Sequence, residues 1–105
     1  MAIIQADNNN FKAEVLDSAQ PVLVDFWAPW CGYCRRLAPV LDRMDAAGTA
    51  YKIVKVNVDD APALAERYGV DTIPALFYFR EGRHGDALIA PGSQDAIEEW
   101  VAAQR

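Results

Sequence analysis

Hydrophobic and polar positions along the chain follow two patterns, one typical of strands and one typical of helices, and the two alternate along the sequence. Segments rich in β-branched, aromatic and other apolar residues predict strands, and the most continuous of them is typical of a strand buried on both faces. These segments lie at 22–27 (VLVDFW), 51–59 (YKIVKVNVD) and 75–80 (ALFYFR). A short apolar run at 1–5 predicts an edge strand, and the turn sequence EGR after the third segment predicts a hairpin whose second strand spans 86–90.

Helices are predicted where apolar residues recur every three or four positions. They span 8–19, 31–47 and 62–69, and a fourth begins after its cap residue Ser93. Pro39 falls inside the second helix and predicts a kink there. The order βαβαβαββα implies parallel strands joined by crossovers, followed by an antiparallel finish. We therefore predict one α/β domain over residues 1–105, with a central mixed β-sheet and helices on both faces.

Charge and composition exclude several classes of function. The 105 residues carry ten Lys and Arg against fifteen Asp and Glu, a formal net charge of −5, which argues against a nucleic-acid partner. No run of about 18 apolar residues is present, so we predict no membrane-spanning segment. The first residues have neither the basic nor the apolar segment of a signal peptide. We expect a cytoplasmic monomer.

The only two cysteines, Cys31 and Cys34, follow a buried strand and begin a predicted helix. Residues three apart lie on the same side of a helix, so the two sulfurs can meet with little backbone movement. Unpaired amides and the helix dipole favour a thiolate in the first turn, which predicts a lowered pKa for Cys31 and makes it the nucleophile. Cys34, one turn further in, is the resolving thiol. The pair therefore predicts reversible thiol–disulfide exchange.

Two other interpretations of the cysteine pair are weaker. A structural disulfide that closes so short a loop constrains the unfolded chain little. A structural zinc site needs about four Cys or His ligands, and only His84 remains, far along the chain in a turn-like stretch. In a reducing compartment a close pair is more often catalytic, redox-sensing or metal-binding than structural. We predict that the site holds no metal.

The segment VLVDFWAPWCGYCRRLAPVL at 22–41 resembles the thioredoxin family, whose motif runs through a buried strand, WCGPC and a helix with a proline five residues after the second cysteine. The resemblance continues through KVNVDD, YGVDTIPALFYF and the last helix, and so covers essentially the whole chain. It implies the thioredoxin fold and a protein-disulfide reductase that acts on disulfide-containing proteins. It also implies that no cofactor is bound and that NADPH supplies electrons through a flavoprotein thioredoxin reductase.

The resemblance also assigns roles to residues around the cysteines. Asp25 would lie beneath Cys34 and exchange a proton with it, since burial raises the pKa of a carboxyl, and Lys55 would pair with this acid. The alternative for Asp25 is a strand acid that faces solvent. The bond before Pro74 would be cis and leave the Ile73 backbone free to pair with an extended substrate. The implied docking surface comprises Trp30, Gly32, Tyr33, Thr72, Ile73, Pro74 and Ala90.

Two positions depart from the family pattern. Tyr33 replaces the proline between the cysteines, and it is similar to the tyrosine in the CPYC motif of glutaredoxins. Ala90, followed by Pro91, stands where the family usually has a glycine that lets a partner backbone approach, which puts the usual set of substrates in doubt. The sequence therefore leaves three alternatives open: a glutaredoxin-like role, a disulfide isomerase or oxidase role, and a non-catalytic docking subunit.

We predict that this CGYC pair is more oxidising than CGPC. Loss of the rigid proline exposes one more helix amide to Cys31, and Arg35 and Arg36 add positive charge near its thiolate, unless they form only a solvated helix face. The expected reduction potential lies toward about −200 to −230 mV, above the roughly −270 mV of thioredoxin. Titration of the pair against glutathione measures it, and a value at or below that of thioredoxin contradicts the prediction.

Overall fold

Residues 2–104 are described by a computed structural model, in which strands and helices alternate as predicted. A π-helical segment spans Lys12–Leu16, and the α-helices are α1 over Gly32–Ala47, α2 over Pro62–Arg67 and α3 over Gln94–Ala102. The strands are β1 Ile4–Ala6, β2 Val22–Trp27, β3 Lys52–Asn57, β4 Ala75–Arg80, β5 Arg83–His84 and β6 Leu88–Ile89. No helix within residues 2–104 is both long and apolar enough to cross a membrane.

These strands form one mixed sheet in the order β1-β3-β2-β4, and both β5 and β6 pair with the remaining edge of β4. β1, β3 and β2 are parallel, whereas β4 is antiparallel to β2, and β5 and β6 are antiparallel to β4. The predicted parallel start and antiparallel finish are thus confirmed. At the centre of the sheet, Asp25 of β2 is paired in register with Lys55 on one side and Leu76 on the other.

Side chains alternate across β2, so this strand contributes to two hydrophobic cores. On one face of the sheet Val24 and Phe26 pack with Val15 of the π-helical segment and Leu64 of α2. On the other face Leu23 packs with buried residues of α1 and α3, among them Leu37, Leu41, Met44 and Ile97. The removal of both faces from water is the main stabilising contribution to the fold. Helices on both faces were predicted and are confirmed.

The helix predicted over 8–19 is present but shorter, and it is π-helical over Lys12–Leu16. Its expected first turn is held by side chains, because the Asn9 N–H donates to Asp7 Oδ1 and the Asp7 N–H donates to Asn10 Oδ1, both at 2.8 Å. These are capping bonds, and the Phe11 N–H donates to the Asp7 carbonyl, four residues back, at 3.0 Å, so together they begin the helical turn. The helical segment that follows is closed by a bond from the Asp17 N–H to the Lys12 carbonyl, five residues back, at 2.8 Å.

The predicted second hairpin strand, 86–90, is present in part as β6, Leu88–Ile89, and an unpredicted short strand, β5, precedes it. Glu81 and Gly82 have φ values of 52° and 76°, as a two-residue hairpin turn requires, so β5 pairs with β4 directly after the turn. Residues 85–87 do not pair with β4, and β6 then pairs with β4, with Ile89 opposite Ala75. This second pairing brings the residues after β6 to the beginning of β4.

The remaining elements agree with their predicted positions within a few residues. β1 begins at Ile4 and lies at an edge of the sheet, and Met1, which the predicted strand included, is outside the described residues. Helix α1 begins one residue after Cys31 and passes through Pro39, while the predicted kink at that proline stays a prediction. Ser93 caps α3 as expected, with its Oγ accepting the Ala96 N–H at 3.1 Å.

The predicted site residues lie together at one end of the sheet. The parallel strands β2 and β3 finish at this end, and β4 begins there, because Phe26 near the end of β2 pairs with Ala75 at the start of β4. Cys31 follows β2, and Pro74 immediately precedes β4. Ala90 follows β6, and its N–H donates to the Pro74 carbonyl at 2.9 Å.

Candidate active site

The two cysteines lie at the N-terminus of α1, as the sequence predicts. Cys31 is the cap residue, with extended backbone (φ −85°, ψ 110°), and its Sγ accepts the N–H of Cys34 at 3.1 Å. The Cα atoms of the pair are 5.2 Å apart and the sulfurs are at bonding distance, so the structure holds the disulfide form. A cap residue normally satisfies a first-turn amide with an oxygen. Here a sulfur takes that place, where amide hydrogens and the helix dipole favour negative charge.

The two sulfurs differ in their access to solvent. Cys31 is 8% exposed and Cys34 is 2% exposed. They form a small buried cluster with Ala28, against which the half-buried side chains of Trp27 and Ile73 pack. Cys31 is therefore the more accessible of the two sulfurs.

Asp25 is a buried carboxyl on the sheet face that α1 covers. It is 1% exposed, and it lies two residues from Leu23, which packs against α1 on that face. Neither carboxyl oxygen has a hydrogen-bond partner among the described residues. Burial raises the pKa of Asp25 from its ordinary 3.8 to about 7, and the positive charge of Lys55 opposes that rise. A carboxyl with such a pKa can both take and return a proton near neutral pH.

Lys55 stands next to Asp25 in the sheet register but makes no direct ion pair with it within the described residues. Its ammonium lies over the indole of Trp27, 4.5 Å from the ring centroid. The pairing that the resemblance implies is thus an electrostatic influence on the acid and not a salt bridge. This arrangement leaves the carboxyl without a fixed partner.

The Ile73–Pro74 peptide bond is cis, as the resemblance implies. The Ile73 carbonyl oxygen lies 3.9 Å from the Cys31 sulfur, and the Ile73 side chain packs on the cysteine cluster. Thr72, just before them, is exposed, with its hydroxyl 3.4 Å from the carboxylate of Asp71. The 72–74 segment therefore borders the cysteines through Ile73, whose main chain faces the more accessible sulfur.

Trp30, immediately before Cys31, is 66% exposed and forms an apolar surface beside the sulfur. Its indole N–H donates to both carboxylate oxygens of Asp59, at 3.0 and 3.2 Å. Asp59 was not predicted as a site residue, although it belongs to the KVNVDD segment. Its position after β3, a strand parallel to β2, is the signal that places it at the same end of the sheet.

Arg35 and Arg36 surround the first turn of α1 with positive charge. Arg35 donates to the Pro29 carbonyl at 2.9 Å, and the Arg36 guanidinium lies 5.2 Å from the centroid of the Tyr33 ring. A Cβ at Gly32 would stand 3.6 to 3.7 Å from these guanidinium groups. The two arginines are thus held near the site by specific contacts, although both are exposed.

Tyr33 and Ala90, the two departures from the family pattern, are in contact. The Tyr33 hydroxyl donates to the carbonyls of Ala90 at 2.8 Å and Pro91 at 3.0 Å. Ala90 has a φ of 47°, in the left-handed region that favours glycine. The sequence placed both residues on the docking surface but gave no sign that they touch.

His84 does not approach the cysteines. It is on β5, with its ring 4.9 Å from that of Phe79 and 5.2 Å from that of Phe77, measured between centroids. Within residues 2–104 no group of three or more His, Cys, Asp or Glu residues could hold a metal ion.

Comparison with known proteins agrees with this geometry. The thioredoxin family model matches residues 2–103. Thioredoxin of Porphyra purpurea is 41% identical over 102 residues, which cover 96% of this chain and 95% of that protein. Thioredoxin 1 of Nostoc sp. is 48% identical over 101 residues, covering 95% and 94%. Thioredoxin M4, chloroplastic, of Arabidopsis thaliana is 38% identical over 96 residues, covering 90% of this chain and 49% of that protein.

The fold and the cysteine pair define a thiol–disulfide oxidoreductase, in which a dithiol at a helix N-terminus carries the electrons. The chain belongs to the thioredoxin family. Its activity is that of a thioredoxin-type disulfide reductase, whose substrates are disulfide-containing proteins and whose dithiol is regenerated by a reductase. Members of this family typically need no bound cofactor.

The buried acid predicts a pH-dependent stability. The folded-state pKa of Asp25 is about 7, above its ordinary 3.8, so the folded state binds more protons between these values and stability falls as pH rises toward 7. Asp25→Asn has no such dependence. We expect its free energy of unfolding, relative to the wild type, to rise by about 2 to 3 kcal/mol between pH 5 and pH 8.

Urea unfolding of the oxidised proteins at the two pH values measures this difference. Asp42→Asn, which removes an exposed carboxylate of α1, is the control for loss of one negative charge. Parallel stability curves for the wild type and Asp25→Asn would contradict the assignment of a raised pKa to Asp25.

Proposed function

We propose that the protein reduces disulfides in protein substrates with Cys31 as the nucleophile and Cys34 as the resolving thiol. The observation that carries this division of roles is the Cys34 N–H directed at the Cys31 sulfur at 3.1 Å, since a thiolate is stabilised by such a donor. The greater exposure of Cys31 supports the same order of attack.

The reaction transfers two electrons in two exchange steps. The Cys31 thiolate attacks one sulfur of the substrate disulfide, that bond breaks, and the departing substrate thiolate takes a proton from the surroundings. A mixed disulfide now joins Cys31 to the substrate. Cys34 loses its proton and attacks the Cys31 sulfur, which forms the internal disulfide and releases the second substrate sulfur as a thiol. The substrate has gained two electrons and two protons.

Asp25 is the group that we assign to the Cys34 proton. It is buried on the α1 side of the sheet, and its pKa of about 7 suits exchange with a thiol near neutral pH. The absence of a fixed hydrogen-bond partner among residues 2–104 leaves its oxygens available for that proton. Lys55 acts on this step only through its charge, which holds the pKa of the acid below the value that burial alone would give.

The substrate would bind as an extended peptide beside Ile73. Within the described chain the Ile73 N–H makes no backbone hydrogen bond, and the Ile73 carbonyl faces the Cys31 sulfur at 3.9 Å. An extended segment next to a substrate disulfide can pair with this main chain as with a strand edge. Trp30, 66% exposed, would contribute apolar contact on the other side of the sulfur.

We propose a flavoprotein thioredoxin reductase that uses NADPH as the source of electrons. The dithiol must be reduced again after each turnover, and its two-electron chemistry matches that of a flavin. Membership of the thioredoxin family supports this choice of partner.

We also propose that the protein works in the cytoplasm. Both cysteines of the chain belong to the exchange site, so none is left for a structural disulfide, which is typical of a reducing compartment. The chloroplastic relatives from plants work in a different location, so immunofractionation of the source cells is the direct measurement. Recovery outside the cytoplasm would overturn this assignment.

Insulin reduction driven by dithiothreitol tests the cysteine roles. We expect Cys31→Ser to fall to the background rate of dithiothreitol, because the remaining thiol, Cys34, is only 2% exposed. Cys34→Ser, reduced beforehand and freed of dithiothreitol, should still attack insulin but retain it as a mixed disulfide, which mass spectrometry of the non-reduced protein detects. Equal rates for the wild type and Cys31→Ser would instead support a docking subunit. Replacing dithiothreitol with NADPH and a thioredoxin reductase tests the proposed electron source in the same assay.

A further inference from the structure

The Tyr33 side chain connects two parts of the docking surface that are far apart in sequence. Carbonyl oxygens only accept hydrogen bonds, so the single hydrogen of the Tyr33 hydroxyl is shared between the carbonyls of Ala90 at 2.8 Å and Pro91 at 3.0 Å. The first turn of α1 is thereby tied to the segment that follows β6. A proline at position 33 has no group that could make this link.

Ala90 is in turn hydrogen-bonded to the cis-proline segment. Its N–H donates to the Pro74 carbonyl at 2.9 Å, while its own carbonyl accepts from Tyr33. Its φ of 47° is unfavourable for a residue with a Cβ, so this conformation persists only where its surroundings hold it. Two hydrogen bonds, one on each side of the residue, supply that restraint.

The ring of Tyr33 is half-buried, because it packs against the cluster of Ala28, Cys31 and Cys34. The Arg36 guanidinium lies 5.2 Å from its centroid, and an open groove of about 250 Å³ borders the ring next to Pro91. The contacts of the ring thus hold Tyr33 against the cysteine cluster, while its hydroxyl makes the hydrogen bonds to the 90–91 segment.

We propose that the Tyr33 hydroxyl is a positioning group that prepares the docking surface for extended peptide substrates. It fixes Ala90 and Pro91 beside the Ile73 main chain, so a protein substrate does not have to order this segment when it binds. A small disulfide, which touches only the cysteines, does not use the fixed segment. This inference rests on the proposed disulfide reduction.

Tyr33→Phe isolates the hydroxyl, because the ring and its contact with Arg36 are kept. Pre-reduced protein is mixed with increasing insulin or with bis(2-hydroxyethyl) disulfide, and oxidation of the dithiol is followed by tryptophan fluorescence. We expect the half-saturating insulin concentration to rise about 2- to 10-fold, as for the loss of one neutral hydrogen bond, with an unchanged limiting rate. The rate with the small disulfide should stay at the wild-type value.

Tyr68→Phe is the matched control, since it removes a hydroxyl on the opposite face of the sheet, where Tyr68 packs on Phe26 and Phe77. An unchanged insulin dependence in Tyr33→Phe, or an equal rise in Tyr68→Phe, would overturn the inference. Slower reaction of Tyr33→Phe with the small disulfide would also overturn it, because the hydroxyl would then act on the cysteines. A wild-type protein that reduces neither compound would refute the proposed function itself.

Amide hydrogen exchange supplies a readout that does not depend on activity. The Ala90 N–H, bonded to the Pro74 carbonyl, should exchange about 2- to 10-fold faster in Tyr33→Phe if the hydroxyl restrains this segment. Amides in the centre of β2 should exchange at the same rate in both proteins. Equal protection of Ala90 in the two proteins would show that the segment is held without Tyr33 and would overturn the inference.

Discussion

The hydrogen bond from the Cys34 amide to the Cys31 sulfur is the contact on which the rest of the site depends. It exists because β2 ends four residues before Cys31, so the chain turns and begins a helix with an extended cap residue. The first amides of a helix have no partner within it, and a sulfur placed among them is stabilised as an anion. The sheet thus determines where β2 ends, and the end of β2 determines where α1 begins. The unpaired amides at the start of α1 then favour negative charge on the Cys31 sulfur.

At Asp25 the stability of the fold and the chemistry of the site have opposite requirements. A carboxyl at the centre of the sheet, without a hydrogen-bond partner in residues 2–104, lowers the stability of the fold when it ionises. Neighbouring Leu23 and Phe26 are ordinary core residues, so packing alone gives no reason for an acid here. The same burial that destabilises its charged form moves its pKa into the range where it can exchange protons with a thiol. Destabilising ionisable groups of this kind are concentrated at functional sites.

The proposed docking surface is assembled from segments that meet only in three dimensions. Ile73 contributes a main chain whose N–H makes no backbone hydrogen bond within residues 2–104, Trp30 an exposed ring bonded to Asp59, and Ala90 a segment joined to α1 through Tyr33. Tyr33 and Ala90, which look independent in the sequence, form one hydrogen-bonded unit. Under our proposal Tyr33 therefore acts on substrate binding as well as on the start of α1.

The accuracy of the sequence predictions depended on how local the controlling forces are. Strand β2 and the start of α1 were predicted correctly, because burial on both faces and a capped helix are properties of adjacent residues. The helix predicted over 8–19 is present but shorter, and it closes with a wider turn from the Asp17 N–H to the Lys12 carbonyl, which the spacing of apolar residues does not indicate. The break between β5 and β6 was not predictable, because it depends on pairing with β4.

By itself, the sequence determined the layered α/β fold, the position of both cysteines at a helix N-terminus and the chemistry that two adjacent thiols can perform. These follow from side-chain periodicity and from the residues next to each other in the chain. Only the tertiary structure decided that Lys55 lies over Trp27 without an ion pair to Asp25, and that Tyr33 reaches Ala90. Each of those contacts joins residues from different elements of the fold. Their distances depend on how the strands pair and where the sheet places α1 and the segment after β6.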